Sequence, residues 1–396
     1  MIPRFKPWLG WSEFFALFKP NRGAVERFEK AFAKKFKAVD AVAFPYGRSA
    51  QWAFFKAIGI ENAEVIMPAY TCSVVAHAVT LSGNQPHFID INLDDYNMNL
   101  DEAEAAINQK TRAIIATHTF GYPQDLNRLE AMVKRGEEKY GHKIWLMQDC
   151  CHAFGAEWQG RMIGTSGDVA VYALNISKMI TSIFGGMLTF QDKALAEKVR
   201  AWRDEHYRPA AWLKAIQRRL YLLAVYVAFS EKIYGLTWWL QEKTPLLNRL
   251  TKSYHLDDKI HFPPDYLDKM LPLEALVGLA QLDRYDVIIN RRRCNADFYN
   301  KNLERRAGWV FPPLIDGATY SHYVVCVPQR KPVLHEWASK GVHLGELIQY
   351  SIPLLPDYTK TTYSSFQRSE ERSKFTINFP VTDNLTTVKK IAAKNK

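Results

Sequence analysis

The feature that most constrains this chain is an alternation that begins near residue 41. Short apolar runs take turns with segments of helical period. The runs are AVAFPY (41–46), EVIMPAY (64–70), PHFIDI (86–91), RAIIATHTF (112–120), KIWLMQDCC (143–151), VAVYALN (169–175) and GMLTF (186–190). Strands separated by helices predict a sheet wrapped by helices, because parallel neighbours need a crossover between them. The expectation is an α/β fold whose large, three-layer domain holds a mostly parallel seven-stranded sheet. Right-handed crossovers gather the loops that follow the strands at the sheet's carboxyl edge, where α/β sheets bind ligands.

The pattern changes twice more. Residues 1–40 read as a basic, aromatic, amphipathic arm, and 41–208 as the large domain. Residues 209–258 read as an inserted helical segment rich in aromatic and basic side chains. Residues 259–396 carry one long amphipathic helix over 272–303, then a small C-terminal α/β unit. In that unit a strand over 320–328 and a helix through Lys340 precede a strand over 375–381 and a last helix.

Composition narrows the function classes. The net charge is +11, from 52 basic and 41 acidic residues. A basic balance suits nucleic acid, a membrane surface or an anionic small molecule, or is plain solubilising charge. No nucleic-acid motif accompanies it, so nucleic acid is not an expected partner. The five cysteines show no CxxC pair or disulfide-like spacing, which points to a reducing compartment and no metal site. Cys150 and Cys151 lie in apolar context and read as packing residues. The first residues resemble no signal peptide, and no run reaches the length of a membrane span. A cytoplasmic protein is expected.

Chemistry concentrates at two strand ends. Lys178 lies in ALNISKMITSIFGG, just past a predicted strand, and Asp149 ends the strand in WLMQDCC. They are 29 residues apart (178 − 149), about one strand–helix–strand unit, so both side chains can enter one cleft. A lone lysine is usually a surface residue; the carboxylate raises this one. Pyridoxal phosphate (PLP) chemistry needs such a pair. The amine forms a Schiff base with the aldehyde, and the carboxylate keeps the pyridine nitrogen protonated so that the ring can act as an electron sink. A phosphate cup is the third need. FPYGRSAQWAFF (44–55) offers a strand, a turn at Gly47 and a helix opening near Ser49, where backbone N–H groups favour an anion. Alone this loop is explained as well by an ordinary turn.

With these residues in place, the chain resembles the DegT/DnrJ/EryC1/StrS family of sugar-nucleotide aminotransferases, PLP enzymes of the aspartate-aminotransferase-like fold type I. The resemblance runs from about residue 40 to 205 and again from about 270 to the end. YGRSA, the Pro68–Thr71 turn, THTFGYPQDL (117–126), the stretch from Asp149 to Lys178 and VGLAQLDRYDVIINRRR (277–293) carry it. The resemblance implies that Lys178 is the Schiff-base lysine and proton carrier and that Asp149 holds the ring nitrogen. It places His152 near the cofactor's 3-hydroxyl, Gly47, Arg48 and Ser49 at its phosphate, and Asn175 in the cofactor site. It also implies an amino donor such as glutamate, a keto-sugar nucleotide for surface polysaccharide or lipopolysaccharide synthesis, and a homodimer. Three positions depart from the pattern. Cys72 stands where an aromatic residue often stacks on the ring, with Tyr70 as the available substitute. Ala173 replaces a frequent Ser, and Leu267 and Lys269 stand where an Asn-x-Arg loop is usual. Lysine at 178 favours an aminotransferase over the family's dehydratases, which carry His there.

Residues 209–254 have no counterpart in compact members. Basic side chains interleaved with Trp212, Tyr221, Tyr226, Trp238 and Trp239 suit a helix lying on a membrane surface. They suit equally a helical hairpin packed on the enzyme. Two further readings stay open: a lipid or lipid-linked acceptor at the inner face of the cytoplasmic membrane, and a non-catalytic relative with a sensing or scaffold role.

Overall fold

A computed structural model describes residues 1–243, 259–359, 365–382 and 384–394. The main sheet contains β1 (Asp40–Phe44), β2 (Glu64–Pro68), β3 (Gln85–Ile89), β4 (Thr111–Thr117) and β5 (Trp145–Asp149). After a small hairpin, β6 (Glu157–Trp158) with β7 (Arg161–Met162), come its last strands, β8 (Val169–Ala173) and β9 (Gly186–Phe190). The order across the sheet is β1-β9-β8-β5-β4-β2-β3. Strand β9 runs against both its neighbours, and the others share one direction. All seven predicted strands are present. They read as continuous apolar runs because both faces of the sheet are covered. In β1, Ala41 and Ala43 enter one core, while Val42 and Phe44 enter the other.

Helices α1 (Trp11–Ala16) and α2 (Ala24–Lys35) precede the sheet. Between strands lie α3 (Gly47–Ile58), α4 (Ser73–Leu81), α5 (Leu100–Ala106) and α6 (Leu126–Tyr140); α7 (Lys193–His206) follows β9. Phe54, Val79 and Val199 place α3, α4 and α7 on one face. Phe32, Ala103 and Leu129 place α2, α5 and α6 on the other. The starts of α5, α6 and α7 are set by Asn99, Asp125 and Asp192, whose side chains accept from the first free N–H groups. Part of the N-terminal arm thus belongs to the main core. Phe28 lies against Gly278 so closely that a Cβ there would meet the ring at 2.4 Å.

The long helix predicted over 272–303 is two, Pro272–Asp283 and Tyr285–Asn302. The break is at Arg284 (φ −101°, ψ 0°). Its guanidinium is held by the buried Glu13 carboxylate (2.9 Å) and the Trp8 carbonyl (3.1 Å), contacts that no local periodicity encodes. In the C-terminal part, β10 (Tyr323–Cys326) pairs antiparallel with β11 (Thr376–Phe379) over a core of its own that includes Trp337. Within the predicted insert the structure shows α8 (Trp212–Ala228) and α9 (Tyr234–Lys243); residues 244–258 lie outside the described residues.

Candidate active site

The carboxyl ends of β1, β4, β5 and β8 border one cavity of about 620 Å³. Lys178, Asp149, His152, Arg48, Cys72 and Asn175 all line it, as does Gly47. One lysine and one carboxylate from different strand ends are thereby brought together, as the 29-residue spacing required.

Asp149 is the last residue of β5 and is 3% exposed. Its Oδ1 accepts the Cys151 backbone N–H at 3.0 Å, and its Oδ2 accepts the Thr117 hydroxyl at 3.2 Å. Thr117 ends β4 and is its register partner, so the parallel ladder itself delivers this donor. Lys178 closes a short turn after β8. Its N–H donates to the Asn175 carbonyl (3.0 Å), while the Asn175 side chain accepts from the Ser177 N–H and hydroxyl. The turn holds the lysine half-buried at the cavity wall.

His152 lies parallel to Phe120, with ring centroids 6.1 Å apart and 6° between planes. Its pKa is held well below the usual imidazole range, first by burial and then by the Lys178 and His322 charges. His322, edge-on to it at 5.7 Å, is pushed down to about 3, mainly by burial. Both rings are therefore neutral at physiological pH. The His152 Nδ1 is buried and has no protein partner.

Gly47 begins α3, and a Cβ on it would meet the Ala173 Cβ at 2.8 Å. Tyr46 supplies no side-chain cap, so the helix's first N–H groups stay open toward the cavity. Ser49, two residues further, does not line the cavity but lies fully buried behind it, and its Oγ has no protein partner. An uncapped helix start beside an orphaned hydroxyl and Arg48 suits a phosphate dianion. Together with Lys178 and Asp149, these groups fit PLP.

Tyr70 corrects the expectation that it stacks on a cofactor ring. It is fully buried away from the cavity, and its hydroxyl bonds with Thr376 Oγ1 (3.1 Å) and the Ile348 carbonyl (3.3 Å). The ring packs in the third core beside Tyr96 and Phe120, where its apolar area is better used. Leu267 and Lys269 do not line the cavity either: Lys269 pairs with Asp204 at 3.0 Å, and Leu267 packs on the sheet-side core. His118, in the quoted THTFGYPQDL loop, is a buried structural link to Gln148 (2.8 Å), and burial pushes its pKa down to about 4.

Several cavity residues escaped sequence reasoning. Thr117 had a signal, since it ends a strand adjacent to that of Asp149. Arg218 had none. It comes from α8, in the predicted insert, and lies 3.7 Å over the Phe184 ring. It pairs with Asp265 (3.2 Å) and Glu274 (3.1 Å), while Lys214, one turn earlier, pairs with Asp265 (2.7 Å) and Asp268 (3.1 Å). Two basic residues of that segment therefore face inward, as a hairpin packed on the enzyme would place them. Arg4 and Phe5 of the arm also reach the cavity rim.

The model of the DegT/DnrJ/EryC1/StrS aminotransferase family matches residues 21–227 and 247–394. The chain belongs to that family. The match is wider than the stretches that suggested it, takes in all of α8 but its last residue, and leaves 228–246 unmatched between its two parts. GDP-perosamine synthase of Escherichia coli O157:H7 is 26% identical over 280 residues, covering 70% of this chain and 63% of that protein. The chain thus spans less than two thirds of that relative's length. The sugar aminotransferase CalS13 of Micromonospora echinospora superposes with a TM-score of 0.78 at 20% identity, over 100% of this chain and 99% of its own. A putative sugar aminotransferase of Streptococcus pneumoniae, Spr1654, in its PMP form, gives 0.77 at 19%, over 100% and 98%. The fold is that of these enzymes, and the cofactor of this family is PLP.

Proposed function

We propose that the protein is an aminotransferase that moves an amino group, with glutamate as donor, to a keto group on a nucleotide-activated sugar for surface polysaccharide or lipopolysaccharide synthesis. The observation that carries this reading is the convergence of Lys178, Asp149 and the uncapped start of α3 on one cavity. When bound, PLP would supply an electron sink for chemistry at the donor's Cα.

The chain's residues then divide the work. Lys178 Nζ would hold the cofactor's aldehyde carbon, and its amine would be the base that moves the proton at the donor's Cα. The Asp149 carboxylate, fixed by its two donors, would hold a proton on the ring nitrogen. Gly47, Arg48 and Ser49 bind the phosphate, with the orphaned Ser49 Oγ as one donor. Neutral His152 has an unpartnered Nδ1 available to the 3-hydroxyl. Cys72 and Asn175 border the ring site, and Arg218 and Arg48 add positive charge for an anionic acceptor. The reading includes a homodimer, as the family likeness implies. Support for the sugar-nucleotide acceptor comes from relatives named GDP-perosamine synthase.

Absorbance tests the core of this reading. The PLP-loaded protein should show a band near ~420 nm that moves to about 330 nm on adding glutamate, and Lys178→Ala should lose the band. A wild type that stays colourless after incubation with PLP would overturn it in favour of a scaffold role. Light scattering checks the dimer.

A further inference from the structure

Helix α8 has two apolar sides. Its inward side carries Leu222, Val225 and the paired Lys214 and Arg218. On the opposite side, Leu213, Ile216, Leu220, Leu223 and Val227 recur at three- and four-residue steps and are all exposed, Leu220 by 62%. The patch continues onto α1. Tyr226 at the end of α8 donates to the Gly10 carbonyl (2.6 Å) and meets Phe14 edge-on at 6.1 Å. Beyond that joint Trp11, Phe15 and Phe18 are 75%, 56% and 73% exposed. Twelve of the nineteen large apolar side chains exposed among the described residues fall within 11–18 and 212–239. So dense a cluster marks an interaction surface rather than scattered exposure.

The charges decide what covers it. Residues 1–23 and 207–230 contain a single carboxylate, Glu13, which is buried and bound to Arg284 and Gln281. Lys19 and Arg22 are exposed beside Trp11 and Phe18, and Arg219 flanks the α8 stripe. A second copy meeting this face about a two-fold axis would bring basic rim against basic rim. An apolar face whose rim on α1 and α8 carries cations and aromatics, with one exposed carboxylate, Glu231, just past the end of α8, matches the boundary between acyl chains and anionic headgroups. No described helix is long and apolar enough to cross a membrane.

We infer that the outer face of α8, together with α1, docks on an anionic lipid bilayer. The inward side of the same helix places Arg218 on the cavity, and the arm places Arg4 and Phe5 on its rim. Docking therefore holds the cavity within about one helix diameter, ~10 Å, of the lipid.

Flotation of the full-length protein with vesicles tests this, independently of any turnover. The protein should rise with phosphatidylcholine–phosphatidylglycerol vesicles, less so at high salt, and stay behind with phosphatidylcholine alone. The Leu220→Asp/Leu223→Asp variant should lose at least roughly tenfold in vesicle partition. Arg219→Glu should lose roughly fivefold or more, the worth of about one basic residue at an anionic surface. Leu220 and Leu223 are exposed and Arg219 is half-buried outside the core, so both variants should keep the wild-type melting temperature and glutamate-induced spectral change. Absence of flotation by the wild type on anionic vesicles would overturn the inference. So would a Leu220→Asp/Leu223→Asp variant that floats normally but turns a dimer into a monomer, which would give the face to self-association. Loss of the spectral change with flotation intact would instead strike the proposed aminotransferase reading alone.

Discussion

The cavity has a floor and a wall, and they are built by different physics. The floor is the carboxyl edge of the sheet, where Thr117, Asp149 and Ala173 end neighbouring strands and the ladder sets their spacing. The wall is α8, held in place by side chains: Leu222 and Val225 in the main core, and Lys214 and Arg218 on Asp265, Asp268 and Glu274. A ladder is enforced by every backbone hydrogen bond along it, whereas an ion-pair wall depends on the protonation of a few groups. The difference teaches that a site can be rigid where the chemistry occurs and adjustable where a substrate is admitted.

Substitutions break the comparison from either side. The largest effect is expected on the floor. Lys178→Ala should lower transamination at least ~10³-fold, read as glutamate turnover, while leaving the melting temperature near that of the wild type. Asp149→Asn keeps the shape and the Cys151 hydrogen bond but removes the charge. It should cost about 10²-fold in turnover and weaken PLP retention. On the wall, Lys214→Met removes the cation that Asp265 and Asp268 share and leaves them to Arg218 and Arg208, and should destabilise the fold by about 1–3 kcal/mol in urea titration. If the wall contributes only to substrate entry, that variant's KM for the acceptor will rise more than its donor-side turnover falls. Gly47→Ala forces a Cβ into Ala173 and should cost ~1–3 kcal/mol, seen as looser PLP binding.

The smallest expected effect is on pH dependence, and it sharpens the contrast because floor and wall have opposite signs. Buried His118, behind the floor, has its folded pKa lowered to about 4 from the ordinary 6.5. Between these values the unfolded chain binds the extra proton, so stability falls as pH drops from about 6.5 towards about 4. Glu274, under the wall, is raised from 4.5 to about 7 by burial, which outweighs the pull of Arg218. There the folded chain holds the extra proton, so stability falls as pH rises from about 4.5 to about 7. Melting curves of His118→Gln and Glu274→Gln should each flatten the corresponding limb by a few degrees.

Legibility in the sequence followed the same division. The seven strands, the fold class and the meeting of Lys178 with Asp149 were readable because apolar runs and strand-end positions are local, and topology brings strand ends together. The turn at Gly47 and the helix that opens there were readable from the local sequence. Tyr70 was misread because a tyrosine next to a turn carries no mark of which side it faces. Its orientation depends on Thr376 and Ile348, some 300 and 280 residues away. The break at Arg284 depends on Glu13 in the same way.

By itself, then, the sequence determined the alternation of strands and helices, the family, and the lysine–carboxylate pair at the sheet's edge. Each of these rests on patterns within one element or on the strong rules that connect consecutive ones. Only the tertiary structure decided that α8 turns its cations inward to wall the cavity and leaves an apolar stripe outward. A helix that is apolar on both sides has no preferred orientation until distant carboxylates, here Asp265, Asp268 and Glu274, select one.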